Sequence, residues 1–167
     1  MSDTSSTNMR QLYQEVILDH NRKPRNWGPI ADANRHADGH NPLCGDHIKL
    51  SMHVQDDKIE SIGFEGHGCA ICKASSSMMT SVVKGKTVQE AEMMVDEFRG
   101  MTTGTLDPES QPNHLGKLKV FAGVKDLPSR VKCAILPWHT LHAALHSEQS
   151  ASTEGQNDPV PDSGMVA

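Results

Sequence analysis

The residues of this chain best able to do chemistry are three cysteines and one aspartate. Cys44 lies in a turn-rich segment, Cys69 follows the Gly-His-Gly of residues 66–68, and Cys133 lies near the last predicted helix. Each cysteine falls at the end of a predicted element, where a site can open to solvent. Asp46 stands two residues after Cys44, across a glycine, so both side chains can reach one ion. Since zinc prefers about four ligands drawn from Cys, His and carboxylate, these residues predict a metal site with zinc as the favoured ion.

Pro137 is informative about where the last helix begins. Inside a helix, Pro137 would remove the bond to the carbonyl of Cys133 and clash with it, which costs ~3 kcal/mol, whereas in the first turn this cost vanishes. The sequence therefore predicts that the helix begins at about Cys133. The positive end of the helix dipole, together with Arg130 and Lys132, would then lower the pKa of the Cys133 thiol.

A fourth cysteine, Cys72, completes a C-x-x-C at residues 69–72 and allows two other interpretations. A redox pair of the thioredoxin kind needs a parallel β-α-β setting, which the predicted hairpin does not provide. A four-cysteine metal site would have Cys72 in the place of Asp46. The helical spacing keeps both alternatives open. A packed, inert Cys72 is the interpretation we favour, because buried free cysteine is common in protein cores.

Histidines offer a second, weaker metal signal. His139, His142 and His146 recur at spacings of three and four in the last predicted helix, which places them near one another on its surface. They could form a second metal-binding face, although a solvated surface is the commoner outcome and the one we expect. His67, two residues before Cys69, is a backup ligand only.

The elements that must position these residues follow from hydrophobic periodicity. Apolar and polar residues alternate over residues 48–54 and again over 59–64, on either side of a turn, which predicts an antiparallel hairpin. The segment 35–45 is polar and turn-rich. Helical patterns occupy residues 9–21, 69–84, 87–99, 115–124 and 133–146. A small antiparallel β-sheet with helices packed on one side is an α+β domain.

Size and charge indicate the domain organisation. The 167 residues suffice for one compact domain, which we place at residues 9–147, between a flexible N-terminus (1–8) and a disordered acidic tail (148–167). That tail holds four of the 21 acidic side chains and none of the 16 lysines and arginines. The rest of the chain is nearly neutral and has no basic stripe, which argues against a nucleic-acid partner.

The sequence carries no recognisable membrane or export signal. No apolar run is long enough to span a bilayer, and the Ser/Thr-rich residues 1–8 lack the apolar stretch of a signal peptide. We therefore expect a cytoplasmic protein without a membrane partner. In that compartment the cysteines stay reduced and act as ligands or reactive thiols rather than as disulfides.

Four motifs together resemble a known family. They are NPLCGD at residues 41–46, FEGHGCAI at 64–71, ASSSMM at 74–79 and RVKC at 130–133. As a set they are similar to the U-type iron–sulfur cluster assembly proteins, the group of IscU, SufU and NifU, and most similar to the SufU branch. The resemblance covers about residues 12–145 and implies the SufE/NifU-like, IscU-like fold.

The resemblance implies a role for each matching position. Cys44, Asp46, Cys69 and Cys133 match the metal-ligand positions of the family. Similarity to the SufU branch implies a zinc-bound protein that docks on a pyridoxal-phosphate cysteine desulfurase of the SufS type, a histidine of which would replace Cys44 at the zinc. Cys44 would then accept the persulfide sulfur, with Cys133 as the alternative acceptor, and pass it to downstream iron–sulfur assembly or acceptor proteins.

Competing functions use the same side chains. A sulfur acceptor would be a sulfurtransferase-type partner of the desulfurase rather than an independent enzyme. The alternative is a scaffold on which iron or a [2Fe–2S] cluster is assembled and then passed to apo-proteins. A third hypothesis is a zinc-stabilised interaction module without sulfur chemistry. Lys132 stands where the IscU branch has a histidine, which favours the sulfur acceptor over the scaffold.

Overall fold

The computed structural model describes residues 2–147 and 150–152, and its β-structure is one four-stranded sheet. The strands are β1 (Arg35–Asn41), β2 (Asp46–Gln55), β3 (Lys58–His67) and β4 (Ser150–Ser152), in the spatial order β3-β2-β1-β4. The first three strands pair antiparallel, whereas β4 runs parallel to β1. The α+β class and the predicted β2–β3 hairpin are confirmed, and β4 makes the sheet mixed rather than purely antiparallel.

Strand β1 was not predicted, because its residues show no apolar alternation. Its buried positions are Ala37, Gly39 and Asn41, which are small or polar. A Cβ on Gly39 would collide with the side chain of Thr140 in the last helix, so this glycine lets the helix lie close to the sheet. Tertiary packing, rather than local pattern, therefore determines this strand.

The helices pack against one face of the sheet and against each other. They are α1 (Ser2–Arg22), α2 (Ala70–Val83), α3 (Val88–Thr103), a 3₁₀ segment (Gly116–Asp126) and α4 (Pro128–Leu145). Helix α4 packs on β1 and β2, α2 packs on β3, and α3 lies against α4. Thr87 and Glu90 form the capping box that begins α3, as their spacing predicts. Among the described residues, no helix is sufficiently long and apolar to span a bilayer.

Both predicted terminal segments differ from the structure where it describes them. Helix α1 begins at Ser2 rather than near residue 9, so residues 2–8 are helical. No glycine or proline interrupts this stretch, so the helix can extend through it. Within the expected disordered tail, Ser150–Ser152 forms β4 against β1. The remaining tail positions, 148–149 and 153–167, lie outside the described residues.

The predicted start of the last helix is wrong. Helix α4 begins at Pro128, where the missing N–H of proline costs nothing, and Pro137 lies inside the helix. The internal proline still removes one helix bond, but α4 is almost wholly buried from Cys133 to Leu145. Burial of residues such as Trp138 and Leu141 offsets a cost of about 3 kcal/mol. Cys133 therefore lies in the second turn of α4 and not at its N-terminus.

Ser75 fixes helix α2 against α4. Its hydroxyl donates to the carbonyl oxygen of Ala134 at 2.6 Å and accepts from Trp138 Nε1 at 3.2 Å. Trp138 is fully buried and stacks on Phe98 of α3 at 4.6 Å between ring centroids. Since Ala134 directly follows Cys133, this contact sets the position of Cys133 relative to the start of α2.

Candidate metal centre

A tight turn between β1 and β2 presents Cys44. The amide N–H groups of Cys44 and Gly45 both donate to the carbonyl oxygen of Asn41, at 3.3 and 2.9 Å, and Gly45 adopts a positive φ of 76°. The Asn41 side chain is buried; its Oδ1 accepts from the amide of Leu43 at 3.1 Å, and its Nδ2 donates to Cys44 Sγ at 3.0 Å. The buried amide thus holds an exposed thiol in place, while partial burial of the sulfur and the neighbouring Asp46 carboxylate raise the pKa of Cys44.

Asp46 carries a buried carboxylate at the first position of β2. Its Oδ1 accepts from the backbone N–H of Cys69 at 3.0 Å, and its Oδ2 lies 4.0 Å from Cys69 Sγ. Gly68 makes this approach possible, because a Cβ at that position would lie 2.7 Å from Asp46 Oδ1. The carboxylate therefore joins the beginning of β2 to the beginning of α2.

Cys69 is the residue that benefits from a helix N-terminus. It is the N-cap of α2, and its Sγ accepts from the N–H of Cys72 at 3.5 Å. The pKa of Cys69 is lowered to about 6, mainly because the Cys133 thiol donates a hydrogen bond to it. Burial acts in the opposite direction, and the N–H groups of Cys72 and Ile71 lower the pKa further. Cys69 is thus the thiolate of this pair.

Cys133 differs from the prediction in its acidity. Because its proton is shared with Cys69 and its side chain is buried, the pKa of Cys133 is raised rather than lowered. Arg130 lies exposed in the first turn of α4 and Lys132 is half-buried beside Cys133, but neither reverses this effect. The helix-dipole argument applies to Cys69, since α4 begins five residues before Cys133.

The four predicted side chains come together. Ligand atoms of Cys44, Asp46 and Cys133 lie within 4.8 Å of one another, and Cys69 adjoins this group through its contacts with Asp46 and Cys133. Three sulfurs and a carboxylate oxygen, brought from separate elements, match the donor types and the number that zinc prefers. The arrangement can hold such an ion, and it leaves Cys44 at the surface.

Neither Cys72 nor His67 belongs to this cluster. Cys72 is buried, and burial raises the pKa of its thiol well above the usual range, as expected for a packed, inert cysteine. Among the described residues, the compact group around Cys44 contains Asp46 and neither Cys69 nor Cys72. Cys69 still contacts Asp46, whereas burial keeps the Cys72 thiol protonated, which favours the carboxylate over Cys72 as fourth ligand. His67 is exposed at the end of β3 and packs edge-to-face with His47 at 6.0 Å.

The sequence did not indicate two residues near the cluster. Asn41 falls within a motif, but its contact with Cys44 requires the folded turn. The Tyr13 hydroxyl is buried and has no hydrogen-bond partner among the described residues. Burial raises the pKa of Tyr13, Arg130 partly offsets this, and the charges of Cys69 and Cys133 raise it further. The charges of these two sulfurs therefore act on the Tyr13 hydroxyl, and no local sequence pattern reveals this relation.

Comparisons with known proteins identify relatives over most of the chain. Residues 12–134 match the family model of the NifU-like N-terminal domain. The zinc-dependent sulfurtransferase SufU of Bacillus subtilis (strain 168) is 39% identical over 147 residues, which are 88% of this chain and 98% of that protein. The iron–sulfur cluster assembly scaffold protein IscU of Streptococcus pyogenes serotype M1 is 39% identical over 143 residues, 86% of this chain and 88% of the relative.

A solved structure agrees in fold. The putative iron–sulfur cluster assembly scaffold protein for the SUF system from Fervidobacterium islandicum AW-1 superposes with a TM-score of 0.75 at 41% identity. The match covers 81% of this chain and 97% of that one.

Proposed function

The chain belongs to the family of NifU-like N-terminal domains, and from this premise we propose that it serves iron–sulfur cluster assembly as a zinc-bound acceptor of sulfur. The observation that carries the proposal is the position of Cys44. All four cysteines lie within the described residues, and Cys44 alone of them is exposed to solvent. It also belongs to the Cys44–Asp46–Cys133 group. A reactive thiol that must meet a protein partner needs such exposure.

We assign the metal ligands as Cys44, Asp46, Cys69 and Cys133. When bound, zinc would keep the ligating thiols deprotonated at neutral pH. The chain itself prepares this state at Cys69, whose thiolate the N-terminus of α2 stabilises, whereas burial raises the pKa of Cys44, so its deprotonation would depend on the metal. The Asn41 side chain donates to Cys44 Sγ and holds this sulfur in place. The N–H of Cys69 holds the Asp46 carboxylate in place.

The sulfur step needs only exchange between thiol groups. The Cys44 thiolate attacks the outer sulfur of a persulfide on a partner enzyme, so that a sulfur–sulfur bond forms on Cys44. The sulfur–sulfur bond of the partner breaks, and its electron pair stays on the partner's cysteine as a thiolate. No external oxidant or reductant is required. A pyridoxal-phosphate cysteine desulfurase of the SufS type supplies such a persulfide, and downstream iron–sulfur assembly or acceptor proteins would receive the sulfur.

An exposed apolar side chain beside Cys44 supports docking of a protein partner. Leu43, next to Cys44, is 71% exposed, and Leu127, just before α4, is 51% exposed. Covering Leu43 with a docked partner would remove apolar surface from water directly beside the reactive thiol. Cys133 is only 6% exposed and is reached less easily, which makes it the less suitable acceptor.

The alternative function is a scaffold for a [2Fe–2S] cluster, supported by the similarity to proteins with that name. An ultraviolet–visible spectrum of protein purified without oxygen, combined with metal analysis, distinguishes the two. A colourless protein with about one zinc per chain supports the sulfur acceptor. A brown protein with iron and sulfide supports the scaffold and contradicts the proposal.

A further inference from the structure

A second group of metal-type side chains lies outside the thiol centre. Glu92 of α3, His142 of α4 and His146, the residue that follows α4, each offer a ligand atom, and these atoms lie within 4.8 Å of one another. His146 Nε2 is 2.8 Å from Glu92 Oε1, and the two imidazole rings are 4.3 Å apart between centroids. We name these three residues the Glu92 cluster.

The cluster differs from the three histidines that the sequence singled out. His142 and His146 are four residues apart at the end of α4, so they share one helix face. His139 is buried, and burial together with nearby Arg99 lowers its pKa to about 4. The expectation of a solvated histidine surface therefore fails for His139. Packing of α3 against α4 supplies Glu92 instead, which no spacing within α4 could reveal.

The Glu92 cluster is spatially separate from the thiol centre. Cys133 and His142 lie on the same helix, nine positions apart. At a rise of about 1.5 Å per residue, these positions are separated by about 14 Å along the helix axis. An ion in the cluster could not be ligated by the thiol centre, and the sulfur step does not use it.

The donor set selects a class of ion. Two imidazole nitrogens and one carboxylate oxygen are ligands that zinc and similar divalent transition metals accept, and three protein ligands leave a position for water. The last turn of a helix favours positive charge. The positive guanidinium of Arg35 already lies at this end of α4, where it donates to the carbonyl oxygens of Ala144 and Leu145 at 3.3 and 2.9 Å.

The cluster is accessible to an ion from solvent. The side chains of Glu92 and His146 are 36% and 44% exposed. A bound ion would take the place of the 2.8 Å hydrogen bond between His146 Nε2 and Glu92 Oε1. We propose that Glu92, His142 and His146 bind a divalent transition-metal ion of the zinc class at a site separate from the thiol centre.

The test uses the full chain without a purification tag, with its thiol centre already loaded with zinc. Further Zn²⁺ is titrated at neutral pH and followed by calorimetry. We expect one additional equivalent to bind. His142→Gln, His146→Gln and Glu92→Gln should each weaken it at least about tenfold, because even outer-shell partners of a metal contribute about 10–100-fold. Metal analysis should show that the first zinc stays bound in all three variants.

A matched control is His114→Gln. His114 Nδ1 lies 2.9 Å from Glu97 Oε2, so it forms a histidine–carboxylate pair that, among the described residues, is not part of a three-ligand group. This variant should bind the additional zinc as the unaltered chain does. Three results would overturn the proposal: no additional equivalent, equal weakening in the His114 variant, or unchanged binding in the His146 variant. The last is decisive even if His142→Gln unfolds, since His146 lies exposed after the end of α4.

Discussion

Replacing Gly68 by alanine should weaken zinc binding although it alters no proposed ligand. A Cβ at residue 68 would lie 2.7 Å from Asp46 Oδ1 and 3.1 Å from Asp46 Cγ. Non-bonded carbon atoms are best separated by about 3.5–4.0 Å, so one of the two groups must move. Asp46 is only 1% exposed, and its carboxylate has little room to turn aside without losing its present partner.

The magnitude follows from the bond that this movement breaks. Asp46 Oδ1 accepts from the Cys69 N–H at 3.0 Å, and a hydrogen bond to a charged group contributes about 1.5–3 kcal/mol. Zinc binding to Gly68→Ala must bring the displaced carboxylate back into place at about that cost. Because every 1.4 kcal/mol corresponds to about a tenfold change, zinc affinity should fall by about ten- to a hundredfold.

Competition against a chromogenic zinc chelator measures this loss. Gly123→Ala is the matched control, because a Cβ on Gly123 would meet nothing within 4 Å. The control should retain the zinc affinity of the unaltered chain. If Gly68→Ala and Gly123→Ala bound zinc equally well, Asp46 would not be a ligand held in place by its contact with residues 68 and 69.

Three further predictions concern the thiols and one buried histidine. Cys69→Ser and Cys133→Ser should each release zinc and lower the melting temperature, measured by metal analysis and calorimetry, because binding energy is in part folding energy; full zinc retention in both would contradict the ligand assignment. Cys72→Ser should retain zinc and sulfur transfer but lose about 1–3 kcal/mol of stability in denaturant unfolding, since the site is 2% exposed and a hydroxyl is costly there; loss of zinc would make Cys72 a ligand. The folded-state pKa of His139 is lowered from 6.5 to about 4, so the unfolded chain binds more protons than the folded chain between these pH values. The free energy of unfolding should therefore fall by about 2–3 kcal/mol as the pH falls from about 6.5 to 4. His139→Gln should show a smaller fall in parallel unfolding curves, and an identical pH dependence would refute this.

Local signals account for the parts of the fold that the sequence predicts. The β2–β3 hairpin follows from apolar alternation, and the start of α3 follows from a capping box within four residues. Strand β1 escapes prediction because its buried residues are small or polar and depend on the close approach of α4. The start of α4 is predicted wrongly because the cost of one internal proline is small compared with the burial of the whole helix.

The candidate site likewise has features that the sequence predicts and features that it does not. Its thiols and Asp46 are recognisable from residue type, motif and position at element ends. Their protonation is not, because it depends on which thiol caps a helix and which donates to the other. Tyr13 and the Glu92 cluster arise from contacts between distant segments, and a linear pattern cannot report such contacts.

The central claim is that Cys44 accepts sulfur, and one measurement tests it directly. The zinc-loaded protein is incubated with a cysteine desulfurase and cysteine, and its peptides are analysed by mass spectrometry without reduction. We expect one added sulfur on the Cys44 peptide, and Cys44→Ala should lose both this sulfur and its stimulation of the desulfurase. Sulfur found only on the Cys133 peptide, with Cys44→Ala still stimulating the desulfurase, would contradict the account.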